Sequence, residues 1–124
     1  MRRVACAVVR RGREVLAFRH PLAGAQLVKG GIEPGETVEA AALRELVEEA
    51  GVAGRGTRGL TIRDDIRDGE LWHLVEVETG PLPEAWVHRC ADDGGHDFAF
   101  FWHRPGDGDA AFAEPYRRVL RVLT

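Results

Sequence analysis

Cysteine is scarce in this chain: Cys6 and Cys90 are the only two, and they lie far apart. Two thiols are too few for a disulfide framework or a cysteine-built zinc site, so a reducing cytoplasm is the expected setting. Lysine is scarcer still, with Lys29 the single lysine among 17 lysines and arginines. No long basic block occurs and the formal net charge is −3, which argues against nonspecific binding to nucleic acid or to a membrane surface. Long apolar runs are missing too. No segment approaches the roughly 18 residues of a membrane-spanning helix, and the opening MRRVACAVVRRGREV returns to charge too soon for a signal peptide. Repeats and linkers are also lacking. What is present is 124 residues, 44% of them hydrophobic, enough for one core and therefore one domain over residues 1–124.

RVACAVVRR and EVLAFRH are runs of branched residues separated by Gly12-Arg13, which predicts a two-stranded hairpin. After the loop HPLAGA, a short strand QLV leads into Lys29-Gly30-Gly31 and the turn Glu33-Pro34-Gly35-Glu36. Thr37 as N-cap and Gly51 as the left-handed stop bound a helix of about 13 residues. TRGLTIRDD, LWHLVEVET and HDFAFFWHR read as three further strands, and a closing helix begins near Pro115. Strands on both sides of a helix imply a mixed or antiparallel sheet in an α+β or α/β/α arrangement.

At 100° per residue, Ala40, Leu43, Leu46, Val47 and Ala50 share one side of the first helix and are expected to face the sheet. Glu45, Glu48 and Glu49 then fall roughly opposite. Like charges at (i, i+3) and (i, i+4) each cost about 0.2–0.5 kcal/mol, and acids in the last turn oppose the helix dipole for about 0.3–1 kcal/mol more. A solvated acidic face would interleave lysines with the acids, whereas this one offers only Arg44. Rules broken together point to a functional site, and clustered carboxylates suit a hard divalent cation such as Mg²⁺ or Mn²⁺. Gly30, Gly31 and Gly35 would let backbone groups approach a ligand closely, and Lys29 adds a compact positive charge, a combination suited to phosphate.

Written out, the segment is Gly30, five residues, Glu36, seven residues, Arg44-Glu45-Leu46, one residue, Glu48-Glu49, one residue, Gly51-Val52. This resembles the Nudix box at every fixed position. The resemblance implies an α/β fold, an α/β/α sandwich with a mixed sheet and a catalytic helix. It implies Glu45, Glu48 and Glu49 as metal ligands with the carbonyl of Gly30, Arg44 as the residue orienting the carboxylates, and Glu36 as a tie between loop and helix. The implied reaction is Mg²⁺- or Mn²⁺-dependent hydrolysis of a diphosphate bond in a nucleoside diphosphate joined to another group. KGGIEPGE resembles members acting on dinucleoside polyphosphates, although Val28 stands where a proline is often found. Nucleoside triphosphates are an equal expectation, and ADP-ribose a lesser one, since enzymes of that group usually carry additional N-terminal sequence.

Because the resemblance allows a base on the helix or on a distal loop, Glu48 is the first candidate to take the proton from water and Asp92, Asp93 and His96 in CADDGGHDF are the others, with Asp92 and Asp93 reading more readily as ordinary turn residues. Lys29, Gly31 and Arg19 are the expected substrate contacts, Arg19 as a bidentate phosphate donor. His20 reads as a loop residue, and His73, His88 and His103 as structural. Phe98, Phe100 and Trp102 alternate on one strand face as core, with Trp72 and Trp86 similar unless they reach a pocket rim and stack on a base. The working form is a monomer or a homodimer. Two rival readings are a non-catalytic nucleotide-binding or regulatory module, which usually loses box glutamates that this chain keeps, and an isoprenoid diphosphate isomerase, whose cysteine-plus-glutamate site the two cysteines do not form.

Overall fold

The computed structural model describes residues 1–124, with the side chain of Asp93 outside the described set. One sheet holds β1 (Arg2–Val8), β5 (Lys29–Gly31), β6 (Gly56–Arg63) and β7 (Glu70–Glu78) in the order β5-β1-β7-β6. The second holds β2 (Arg10–Arg11), β3 (Glu14–His20), β9 (His96–His103) and β8 (Trp86–Cys90), with β4 (Gly24–Gln26) paired to β3. The first sheet is mixed, because β1 runs parallel to β7 and antiparallel to β5, while every pairing of the second sheet is antiparallel. The helices are α1 (Val38–Ala50) and α2 (Glu114–Leu123).

Alternation in the strands builds two cores, one on each face. Ala5, Ala7, Leu16 and Phe18 pack with Ala41, Ala42 and Leu46 of α1, whereas Val4, Cys6, Val15 and Ala17 pack with Tyr116, Val119 and Leu120 of α2. The layering is therefore α/β/α, as expected. Both cysteines are buried and free. Among the described residues no helix is long and apolar enough to cross a membrane.

Several local expectations change. The hairpin of RVACAVVRR with EVLAFRH does not form as one pair, because the first run splits at Val9: β1 joins the first sheet, and only Arg10–Arg11 pairs with β3. The split lets one continuous run feed both sheets. QLV does not form one strand: Gln26 ends β4, β5 starts at Lys29, and Leu27 and Val28 are buried between them. Strand β8 has no counterpart in the sequence reading, since Val87 is 65% exposed and the usual apolar alternation is lost.

Helix α1 has the expected ends. The Thr37 hydroxyl accepts from Ala40 N–H at 3.1 Å, and Gly51 closes the helix at φ 70° with its N–H on Val47 O and Val52 N–H on Leu46 O. Its faces are not as expected. The buried residues are Ala41, Ala42, Glu45, Leu46 and Ala50, Ala40 is exposed, and Val47 is 52% exposed. Glu45 is thus on the inward side of the helix rather than opposite it. The reason is that α1 is gripped by β1, β5 and β7 and also by β8, so its buried arc is wider than one stripe and is rotated toward the acids.

Candidate active site

Burying Glu45, which is 7% exposed, demands compensation, and Arg44 supplies it. Its Nε and Nη2 donate to the two oxygens of Glu36 at 2.8 and 2.9 Å, Nη1 donates to Glu45 at 2.7 Å and Glu48 at 3.3 Å, and Nη2 also reaches Gly31 O at 2.9 Å. Glu36 in turn accepts from Glu33 N–H at 3.0 Å. One guanidinium fork therefore ties the glycine loop, the turn before the helix and two of the helix acids together. The hydrogen bonds from Arg44 hold the Glu36 carboxyl down at about 2, and the same bonds raise the Arg44 pKa further.

Glu45 lies against Gly30. A Cβ at Gly30 would come no farther than 2.6 Å from either oxygen of that carboxylate, so glycine alone leaves room for it. The carboxyls of Glu45 and Glu49 lie close enough to influence each other's ionisation. Burial, then the charge of Glu45, pushes the Glu49 carboxyl well above the ordinary carboxylate range, and burial also raises Glu45. The backbone N–H of Lys29 and its side-chain charge act in the opposite direction on Glu49.

Two C-terminal carbonyls of α1 that the Gly51 cap leaves free are met by β8. Trp86 Nε1 donates to Ala50 O at 3.0 Å, and His88 Nε2 lies 3.2 Å from Glu48 O. Strand β8 thereby pins the helix end that carries the acids.

The acid pair lines a cleft of about 590 Å³, which Lys29, Gly30, Gly31, Asp92 and His96 also line. Arg2 and Arg67 line the cleft as well; neither is foreseeable from sequence, since they arrive from the chain start and from the β6–β7 loop. Arg2 is positioned by Glu70, which takes Arg2 Nη1 at 2.8 Å and Trp72 Nε1 at 2.9 Å. Two expected site residues stand apart. Arg19 does not line the cleft, and its guanidinium sits 4.0 Å above the Phe101 ring on the other face of the second sheet. Glu48 is absent from the lining, turned toward Arg44 with its side chain 44% exposed. His20, read as a plain loop residue, ends β3 and lines the cleft, whereas the side chain of Asp93 lies outside the described residues.

Among the described residues no three carboxylate, imidazole or thiolate groups converge on one point ready to hold a metal. The donor chemistry nevertheless fits a hard cation. Glu45 and Glu49 are two neighbouring oxygen-donor groups whose carboxyls burial disfavours in the charged form, the one guanidinium beside Glu45 is shared with Glu36, and Gly30 keeps the space beside Glu45 clear of side chain. A divalent ion beside them would balance both carboxylate charges.

Comparison with known proteins gives concordant results. The NUDIX domain family model matches residues 1–123. An RNA pyrophosphohydrolase of Dinoroseobacter shibae is 39% identical over 64 residues, a match covering 52% of this chain and 36% of that relative. The chain therefore matches little more than a third of that protein's length. Among solved structures, a putative Nudix hydrolase family member from Chromobacterium violaceum superposes with TM-score 0.77 at 19% identity, covering 98% of this chain and 75% of the other. A MutT Nudix hydrolase from Burkholderia pseudomallei gives TM-score 0.69 at 23% identity over 99% and 98% of the two chains. These two likenesses concern the fold.

Proposed function

Because this chain belongs to the Nudix hydrolase family, we propose that its cleft is the site of divalent-metal-dependent hydrolysis of a phosphoric anhydride in a nucleoside diphosphate joined to another group. Nucleoside triphosphates and dinucleoside polyphosphates are the substrates of this reading. The observation that carries it is the neighbouring pair of buried Glu45 and half-buried Glu49, with Glu45 set against the side-chain-free backbone of Gly30, in a cleft that also holds Lys29, Arg2 and Arg67. Acids and cations side by side in one cleft suit a polyanionic substrate that arrives with, or onto, a cation. The name of the Dinoroseobacter relative supports the class of bond.

Glu45 and Glu49 would hold the metal, with the carbonyl of Gly30 as a further donor, while Glu48 stays on Arg44. Once bound, such an ion withdraws charge from phosphate oxygens and acidifies water. The remaining work belongs to the chain. Arg44 keeps Glu45 in place, and its bidentate grip on Glu36 anchors that geometry to the loop. Lys29, Arg2 and Arg67 hold the phosphates that are not attacked. Asp92 lines the cleft while Glu48 is engaged by Arg44, which favours Asp92 as the group that accepts the proton of the attacking water.

Phosphate release from a panel of nucleotides, with Mg²⁺, with Mn²⁺ and then with chelator, tests the reading. Metal-dependent release from a nucleoside polyphosphate is expected. Release that survives chelation would remove the role given to the metal, and no release from any anhydride would remove the substrate class.

A further inference from the structure

Six rings follow one another across the second sheet and end in the cleft. Trp86 stacks on Phe100 with centroids 5.1 Å apart at 8°, Phe100 lies 5.1 Å from Phe18, Phe18 stacks on Phe98 at 4.3 Å and 18°, His20 lies 5.2 Å from Phe98, and His96 lies 4.7 Å from His20. Strand register makes this ladder, since β9 sets Phe100 opposite both Phe18 of β3 and Trp86 of β8. Burial declines from Phe18 and Phe100 toward the cleft. Phe18 and Phe100 are 1% and 2% exposed, Phe98 is 7% exposed, and the terminal imidazoles are half-buried and line the cleft.

The last rings are held in place rather than loose. His20 Nδ1 accepts the Leu22 N–H at 3.0 Å, which sets that ring's plane, and His96 leans on it. A core needs no imidazoles to finish an aromatic stack at its wet edge. A ligand ring does profit from a fixed, flat, partly hydrated platform, because stacking there costs little further ordering. The cleft cations, by contrast, come from the first sheet and its loops: Lys29, Arg2 and Arg67.

We propose that the His20–His96 pair is the platform on which the substrate's nucleobase stacks, so that a nucleotide lies with its base against the second sheet and its phosphates toward the first. This rests on the reading that a nucleotide is the substrate, and it adds which end of the cleft reads the base. Since platform overlap grows with ring size, purines are favoured over pyrimidines.

The test is equilibrium binding, in the presence of Mg²⁺, of the GTP analogue with methylene in place of both bridging oxygens of its triphosphate and of tripolyphosphate carrying the same two methylene bridges, which has no base. His96→Ala should weaken binding of the nucleotide analogue at least about fivefold while tripolyphosphate affinity stays within about twofold, and His96→Phe should restore it. His20→Phe provides a second flat-ring variant and should bind the analogue as the wild type does. Equal weakening of both probes by His96→Ala would make the imidazole a phosphate contact and overturn the platform. So would a His96→Phe variant no better than His96→Ala, or a wild type that binds tripolyphosphate as tightly as the nucleotide. Wild-type protein that binds neither probe would instead overturn the nucleotide reading itself, together with the platform built on it.

Discussion

Gly30→Ala puts one methyl group where the carboxylate of Glu45 lies. The new Cβ would be at most 2.6 Å from either oxygen, against 3.4 Å or more for ordinary contact, so the carboxylate must retreat. It has little freedom to do so, being 7% exposed and bonded to Arg44 at 2.7 Å. Losing that charged hydrogen bond costs about 1.5–3 kcal/mol, and overpacking costs about 1–3 kcal/mol. Because one movement produces both effects, a total of about 2–4 kcal/mol is expected, with a fall in melting temperature of about 10 °C. Moving a site group by about 1 Å should lower turnover about 100-fold. Two comparisons isolate the cause. Gly35 lies at φ 78° with nothing within 4 Å of a Cβ, so Gly35→Ala should cost only the backbone strain, about 1 kcal/mol, and keep turnover near wild type. The double variant Gly30→Ala, Glu45→Ala removes the clash and should recover stability relative to Gly30→Ala while turnover stays lost. Calorimetry and phosphate release together decide the matter. A Gly30→Ala protein that melts and turns over like the wild type, or a double variant that recovers nothing, would refute the packing of Glu45 on Gly30.

Glu49→Gln should abolish metal-dependent turnover yet leave the melting temperature unchanged or slightly raised, because the amide keeps a donor toward Glu45 and removes a repulsive charge; equal turnover would dismiss Glu49 as a metal ligand. Arg44→Lys should cost about 2 kcal/mol and most of the activity, since an ammonium cannot fork onto Glu36 while also reaching Glu45 and Gly31 O; denaturant titration reads the loss, and a neutral result would undo the keystone role of that side chain. Lys29→Ala should raise KM more than it lowers kcat if Lys29 grips a phosphate that is not attacked; a pure kcat loss would place it on the reacting phosphorus. The Glu36 carboxyl is depressed from 4.5 to about 2, so its contribution to stability is present above pH 4.5 and lost as pH falls from 4.5 toward 2. Melting curves across that window should show a decline that is smaller in Glu36→Gln, and identical pH slopes in the two proteins would contradict the pairing.

The amino-acid sequence by itself determined the ends of α1, the box residues and the kind of chemistry they suit. Caps and turn glycines act over three or four residues, as Thr37 on Ala40 N–H and Gly51 on Val47 O illustrate, and such local effects are legible one residue at a time. The strands β6, β7 and β9 were legible for a similar reason, through composition and the turns that bound them. Which way α1 faces was not. Four consecutive apolar residues, Ala40 to Leu43, make the apolar stripe too broad to set an angle, and only packing against β1, β5, β7 and β8 turned Ala40 and Val47 outward and Glu45 inward. The same holds for the split at Val9, for β8, and for the meeting of Arg2, Arg67, His20 and His96 around one cleft. Those outcomes rest on contacts between residues far apart in the chain. A buried carboxylate is tolerable only where a guanidinium fork and a missing Cβ meet it in space, and linear spacing carries no record of that meeting.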